Sequence, residues 1–381
     1  MIKKLTALLL CAVTCFCLCS CGSVIGEDTT TSGLPDVSVT EESTEGLIVI
    51  TTTEVTTDLT TTEVTTEAIT TELTTTETTT EATTEYTTDA VIPPPPVYEG
   101  STPLLYKVTD NKGNYLWLMG TIHVGRQNYY PLPDYVNKAF EESEALAVEV
   151  DITKFSKNYL AQMYALKQLT YKDGSTIKDH IPEETYNKAV AILKENGMYS
   201  EALEGYKPVM WSNFIDNASI SKLGADSSLG VDVHFINRAK ETKKPVLQIE
   251  SSGSQYSMMG DFSEGLQLMI LQGSVNSYGK PEKTKADLEE MMDLWYEGDE
   301  AEFSAYLKKD GNYDNETVKK LMAEYNKAMF TDRNRKMTDY AVRKLKKGDK
   351  VFICVGAAHV IGDDGMVKRL RDLGYKVEAV R

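Results

Sequence analysis

Two histidines in this chain each follow a short apolar segment and a glycine at the same spacing. Residues 115–119 are apolar and lead into Gly120, and His123 comes three positions later. Near the other end, the apolar residues 351–355 lead into Gly356, and His359 comes three positions later. A short apolar run bounded by turn residues is typical of a strand buried on both faces. The two segments therefore predict strands that deliver two imidazoles to one edge of a sheet.

Two carboxylates occupy similar positions. Glu149 interrupts the apolar segment 145–150, and Glu250 ends the short segment 245–250. Glutamate is rarely buried unless it is paired or bound to a metal. Because open α/β sheets bind ligands beyond their strand ends, we expect both carboxylates to meet His123 and His359 there. The alternative for Glu149 is a residue at a strand end that simply meets water.

This set of side chains indicates hydrolytic chemistry. Two neutral imidazoles and a carboxylate can hold a first-row divalent metal that keeps open positions for water and substrate. Such a metal lowers the pKa of its water and polarises a carbonyl. A second carboxylate could act as general base, and an arginine could stabilise the oxyanion. The alternative is that each histidine only fixes a loop by hydrogen bonds.

Other hydrolytic centres are disfavoured. The chain contains neither a His-Glu-x-x-His motif nor a Gly-x-Ser-x-Gly motif, so a thermolysin-like zinc site and an elbow serine are excluded. Cys354 lies inside a predicted buried strand, where a reactive thiolate is not expected. His180 and His234 are interpreted as a loop residue and a structural histidine.

The surrounding pattern predicts one mixed α/β domain over residues 100–381, with a central mixed sheet, flanking helices and a helical insertion. Residues 104–118 predict a hairpin, and a helix is expected from Asp134. The polar composition and spacing of residues 154–244 predict helices. At the carboxyl end we expect a helix with Gly374 as its C′ residue, followed by a final strand.

The amino-terminal segment, residues 1–21, has the layout of a bacterial secretory signal. Lys3 and Lys4 precede an apolar run that is too short for a comfortable membrane span. The run ends in a sequence that resembles a lipobox, with Cys21 as the residue to be lipidated. Two or more acyl chains would hold the protein stably on the outer face of the cytoplasmic membrane. The alternative is an ordinary signal peptide that releases a soluble protein.

Residues 22–99 predict a disordered stalk. They are rich in Thr-Thr-Glu units, contain no Lys or Arg, and end in a short proline spacer at residues 93–96. The net charge of the whole chain is -17, but the acidic residues of this segment account for most of it. The folded part carries no basic footprint, which excludes nucleic acid as a partner.

The ordered set of motifs resembles the TraB/PrgY/GumN family, which includes the TIKI proteases, over residues 103–381. The matching features are Gly120-Thr121-Ile122-His123, Glu149, Gly230-Val231-Asp232, Glu250 with Gln255, Arg333-Asn334, and Gly356-Ala357-Ala358-His359 with Gly362. The chain departs from the family pattern at Ser252-Gly253-Ser254, where a polar and acidic helix start is more usual.

The resemblance implies a fold related to erythromycin esterases and ChaN-like haem-binding proteins. It implies metal-site roles for His123, Glu149 and His359, and roles in support or catalysis for Glu250 and Arg333. The TIKI branch implies a peptidase that uses manganese or cobalt, with zinc as a further option. We therefore expect a cell-surface metal-dependent hydrolase that acts on extracellular peptides or proteins. A binding protein that sequesters a peptide signal and a metal-free esterase with His123 as general base are the alternatives.

Overall fold

The computed structural model describes residues 101–223, 225–308 and 313–381. Six strands form one mixed sheet in the order β4-β3-β5-β2-β1-β6. The strands are β1 (Leu105–Thr109), β2 (Tyr115–Thr121), β3 (Ala145–Val148), β4 (Val246–Gln248), β5 (Val351–Gly356) and β6 (Lys376–Val380). The β2, β5, β3 and β4 strands run parallel, while β1 pairs antiparallel with both β2 and β6. The predicted mixed α/β class is therefore confirmed.

The strands follow directly from the sequence pattern. In β2 every residue after Tyr115 is buried, as a strand in the interior of a sheet requires. The turn between β1 and β2 is fixed by Asp110, whose Oδ1 accepts hydrogen bonds from the amides of Lys112 and Asn114 at 2.8 and 2.9 Å. Side chains of Asp commonly stabilise turns in this way. The predicted hairpin is confirmed.

Helices surround the sheet and fill the long connections. They are α1 (Asp134–Glu142), α2 (Ile152–Phe155), α3 (Tyr159–Lys167), α4 (Glu183–Glu195), α5 (Pro208–Leu223), α6 (Val231–Glu241), α7 (Ser252–Gly260), α8 (Glu264–Tyr278), α9 (Pro281–Glu297), α10 (Glu300–Lys308), α11 (Glu316–Asn326), α12 (Asp332–Lys347), α13 (Ala357–Val360) and α14 (Met366–Asp372). A π-helical turn, Lys327–Thr331, joins α11 to α12. Gly374, with φ of 85°, follows α14 as predicted, because a left-handed residue ends a helix without strain when it is glycine.

The largest core lies around the sheet. In this core, Phe140 of α1 and Phe235 of α6 contact each other, and both contact Phe352 of β5. The ring centroids are 4.9–5.6 Å apart. Two further apolar clusters lie among the helices, one around Tyr325 and one around Trp211. These clusters give the predicted helical insertion a core of its own. No helix in the described ranges is long and apolar enough to cross a membrane.

The predicted signal segment, the lipidation of Cys21 and the stalk at residues 22–99 lie outside the described residues.

Candidate active site

The candidate site lies where four neighbouring parallel strands end. His123 follows the end of β2 by two residues, and Glu149 follows β3 directly. Glu250 follows β4 by two residues, and His359 follows the last residue of β5 by three. Because parallel strands end at the same edge of a sheet, their tips bring these side chains together. The structure thus assembles the residues that the sequence singled out, while their chemical roles stay predictions.

His123 is held in place by α6. The amide of Val231 donates a hydrogen bond to the carbonyl of Ile122 at 2.9 Å, and a methyl group on Gly230 would come within 2.6 Å of the His123 carbonyl oxygen. This close approach requires glycine at the start of the helix. The second residue of the helix, Asp232, places Oδ1 3.1 Å from Nδ1 of the His123 ring. A carboxylate accepts hydrogen bonds, so Nδ1 of His123 is the donor in this pair.

His359 is oriented by Asn334 on α12. Its Nδ1 lies 2.6 Å from Oδ1 of Asn334, whose Nδ2 donates to the carbonyl of Asp364 at 2.8 Å. That carbonyl can only accept, which fixes the orientation of the amide and makes Nδ1 of His359 the donor. Burial and the charge of Arg333 lower the pKa of His359 to about 4. The ring is therefore neutral at physiological pH, with its lone pair on Nε2.

Glu149 is buried and ionised. Its residue is 9% exposed, and its Oε1 accepts a hydrogen bond from the amide of Gly356 at 2.8 Å. Burial raises the pKa of this carboxyl, but Arg333 and the two site histidines outweigh it and lower the value to about 2. A buried carboxylate persists in this way only when it is paired and hydrogen-bonded.

Arg333 connects the two glutamates. Its Nη2 donates to Oε2 of Glu149, and the same nitrogen lies 2.9 Å from Oε2 of Glu250. Its Nε lies 3.0 Å from that Glu250 oxygen, which also accepts from Nε2 of Gln255 at 2.8 Å. The two carboxylates raise the pKa of Arg333 against the effect of its burial. Glu250 is thus the second counter-ion of the guanidinium, a position that fits the supporting role offered by the resemblance.

A small space separates the two rings and Glu149. A methyl group placed on Gly356 would lie 3.5 Å from Oε1 of Glu149, 3.6 Å from Nε2 of His123 and 3.7 Å from Cδ2 of His359. The space is part of a cavity of about 60 Å³, which Arg333 lines together with apolar residues that include Phe330. A cavity of this size has room for several water molecules. Glycine at position 356 keeps the space open.

The donor set fits a divalent metal in chemistry. Two imidazoles whose Nδ1–H groups are already engaged present Nε2, and hydrogen-bonded rings of this kind are usual in metal sites. Among the described residues, no group of three or more His, Cys, Asp or Glu side chains is gathered closely enough to ligate an ion. Nε2 of His359 lies 3.9 Å from Oε1 of Glu149. Ligand atoms of a tetrahedral site with bonds of about 2.1 Å lie about 3.4 Å apart, so this one pair of atoms would have to approach by about half an ångström.

Two site residues were not given a role from the sequence. Asp232 and Asn334 appear there as motif residues without an assigned role, yet they orient the two histidine rings. The signal that could have identified them was their place in the matched motifs. The other two histidines lie elsewhere, as predicted. His180 contacts Ser175 and Glu264, and His234 packs on Tyr130.

Comparison with known proteins identifies the family of the chain. The model of the TraB/PrgY/gumN family matches residues 104–379. YbaP of Escherichia coli K12, described as an uncharacterized protein, is 26% identical over 255 residues, which cover 67% of this chain and 87% of YbaP. The Metalloprotease TIKI2 of Xenopus tropicalis is 19% identical over 324 residues, covering 72% of this chain and 61% of that protein. No solved structure matches the chain significantly. The chain belongs to the TraB/PrgY/gumN family.

Proposed function

We propose that the domain is a metal-dependent hydrolase that cleaves peptide bonds. The observation that carries the proposal is the convergence of the two histidine rings and Glu149 on the space beside Gly356, with both Nδ1–H groups already engaged. Similarity to a metalloprotease supports the peptide as substrate. His123, His359 and Glu149 are the residues that would hold a divalent ion, manganese or cobalt first and zinc second. Such an ion would activate a water and polarise the scissile carbonyl.

The other residues of the site supply positioning and charge. Asp232 and Asn334 hold the two rings through their Nδ1 atoms, and Nε2 of His359 keeps its lone pair at neutral pH because the pKa of that ring is about 4. Arg333 places a positive charge in the wall of the cavity, where it would stabilise the negative oxygen that develops during attack on a carbonyl. Glu250 balances part of that charge and keeps the guanidinium in position. Met291, Phe303, Met329 and Phe330 line the cavity and restrict the entry of water.

The proposed cellular location rests on the amino-terminal part of the sequence. A lipid on Cys21 and a stalk at residues 22–99 would hold the domain outside the cytoplasmic membrane of a bacterium, where extracellular peptides or proteins are the available substrates. Labelling with a radioactive fatty acid tests this. The wild-type chain is expected to take up label, and Cys21→Ser is expected to take up none.

A direct experiment tests the hydrolase. The full chain is incubated with a mixture of synthetic peptides and manganese, cobalt or zinc, and products are identified by mass spectrometry. We expect cleavage with at least one metal, abolition by a chelator, and a loss of at least about 100-fold in His123→Ala and His359→Ala. Equal cleavage by the wild type and both variants would sink the proposal.

One second function has specific support. The pairing of His123 with Asp232 at 3.1 Å is also the arrangement of a general base whose protonated form is stabilised by a carboxylate. A metal-free esterase would use it in that way. Hydrolysis of a simple ester that survives thorough chelation, and that Asp232→Asn reduces, would favour this second function over the first.

A further inference from the structure

A second cavity adjoins the candidate active site. It has a volume of about 310 Å³ and is lined by residues of α10, α11, α12, the π-helical turn and the loop after α13. Leu307, Phe330 and Ala358 line both this cavity and the smaller one that contains the two histidines. The Phe330 ring stands between them, with its centroid 5.5 Å from that of His359. We call this second cavity the Phe330 pocket.

Six of the large side chains that line the Phe330 pocket are apolar or aromatic. They are Leu307, Tyr313, Met322, Tyr325, Phe330 and Ile361. Met322, Tyr325 and Ile361 are buried and belong to the core, so they form a fixed wall. Phe330 and Tyr325 contact each other edge to face, with ring centroids 6.1 Å apart. Ligand pockets of about 300 Å³ or more with such walls commonly bind apolar groups.

The charged residues of the Phe330 pocket offset one another. Three of them line it, and each has an opposite charge as its partner. Lys308 lies 2.8 Å from Asp363, while Asp364 pairs with Arg369. A group with a full charge would therefore find no complementary charge among these residues and would lose its hydration on entry. The pocket suits an uncharged guest.

The Phe330 pocket borders the candidate active site through Asn334. Asn334 lines the pocket, and the same side chain accepts the hydrogen bond that orients His359. A group seated in the pocket therefore lies against the residue that positions one of the two histidines. This places the guest next to the candidate active site.

We propose that the Phe330 pocket binds the uncharged, preferably aromatic side chain of a substrate residue that flanks the scissile bond. The inference rests on the proposed function and names the class of peptide on which it acts. Aromatic side chains carry a large apolar surface, and they gain from contact with other rings. The three rings of Tyr313, Tyr325 and Phe330 offer that contact.

The test fills the pocket from two different helices. Ser304 is on α10 and the exposed Asn326 ends α11, and both line the pocket at its rim. Ser304→Trp and Asn326→Trp would occupy the space with a ring. The matched controls are Ala305→Trp and Ala323→Trp, which place the same ring at exposed positions on the same two helices, outside the lining.

The measurement is kcat/KM of the full chain for peptides that differ at a single position beside the cleaved bond, carrying Phe, Leu, Gly, Asp or Lys. For the wild type and both controls we expect the Phe peptide to exceed the Gly peptide by at least about tenfold, with the Asp and Lys peptides below both. In both pocket-filling variants the ratio of Phe to Gly is expected to fall towards one. A ratio of Phe to Gly near one in the wild type, or a ratio that both filling variants leave intact, overturns the proposal that the Phe330 pocket binds this side chain.

A binding measurement separates this inference from the hydrolase proposal. If the wild type cleaves none of the peptides, the proposed function fails, and Nα-acetylphenylalaninamide becomes the probe. Saturation-transfer NMR on the full chain is then expected to show binding of this probe but not of Nα-acetylglycinamide, with loss in both filling variants and retention in both controls. Equal signals for the two amides, or binding of the probe that both filling variants retain, would refute the proposed binding role of the Phe330 pocket.

Discussion

Nδ1 of His359 donates a hydrogen bond to Oδ1 of Asn334 across a distance of 2.6 Å, in the buried contact between α13 and α12. The amide cannot turn over, because its Nδ2 is committed to the carbonyl of Asp364. His359 is thus held in one tautomer by a neutral partner, whereas His123 is held by the carboxylate of Asp232. The two imidazoles of the site differ in electrostatic surroundings although the sequence presents them in equivalent motifs.

The first prediction concerns this hydrogen bond. Asn334→Leu removes the acceptor and is expected to lower kcat by about 10- to 100-fold, the usual effect of losing a partner that orients a ligand. Asn334→Asp keeps an acceptor but adds a charge beside the ring, so it should raise the pKa of His359 from its value of about 4. The pH profile of hydrolysis checks this. We expect the acid limb of the Asp variant to move to higher pH, which a purely structural role of Asn334 would not produce.

The second prediction concerns the buried ion network. Arg333→Met leaves Glu149 and Glu250 without their shared cation, and a buried charge without a partner costs about 3–5 kcal/mol. Urea unfolding should show this loss in the free energy of unfolding. The control is Arg335→Met. Arg335 is exposed, and its Nη2 lies 3.5 Å from Oδ1 of Asp332, a weak surface pair whose loss costs less than about 1 kcal/mol. Equal stability of the two variants would mean that the network does not support the fold.

The third prediction concerns the space beside Gly356. A methyl group there meets its neighbours at 3.5–3.7 Å, so Gly356→Ala should fold with little loss of stability. It would nevertheless fill the space between the two histidines and Glu149, and we expect hydrolysis to fall by more than about tenfold. Gly279→Ala is the matched control, since its methyl group would also find ordinary contacts of 3.7 and 3.8 Å, far from the site in sequence. Full activity in Gly356→Ala would show that the reaction takes place elsewhere.

The fourth prediction concerns Asp216, a fully buried residue of α5 outside the site. Burial raises its pKa to about 8, and Ser274 offsets only part of this effect. Between about pH 4 and about pH 8 the folded protein keeps a proton that the unfolded chain has lost. The contribution of this group to the free energy of unfolding therefore falls as the pH rises, by at most about 1.4 kcal/mol per pH unit.

Asp216→Asn tests the point because the amide has nearly the same shape and no charge. Urea unfolding across this pH range should show the variant gaining stability relative to the wild type as the pH rises. A difference between the two proteins that stays constant with pH would contradict the assignment.

Much of the site could be predicted because its residues follow strands with a strong local pattern. Continuous apolar runs identify β2, β3 and β5, and the residues at their ends could then be placed at one edge of the sheet. The hairpin, α1 and the helix before the last strand followed from turn residues and spacing in the same way. Each of these features depends on residues that are close in sequence.

The hydrogen bonds that orient the site could not be predicted, because they join distant residues. His123 and Asp232 are 109 positions apart, and Arg333 and Glu149 are 184 apart. Asp232 lies between Val231 and Val233 in an amphipathic helix, where local spacing gives no sign of its partner. The π-helical turn that places Phe330 beside His359 could likewise not be predicted, because its sequence pattern does not differ from that of the adjoining helices.

The central claim is that His123, Glu149 and His359 form one centre that holds a divalent metal. Elemental analysis of the purified full chain after incubation with manganese, cobalt or zinc measures it directly, with His123→Ala and His359→Ala beside the wild type. The control is His180→Ala, because His180 contacts Ser175 and Glu264 and does not line the cavity of the two site histidines. We predict about one ion per chain in the wild type and the control, and loss of the ion in both site variants. A wild type that binds none of the three metals, or site variants that retain the ion, would contradict the claim.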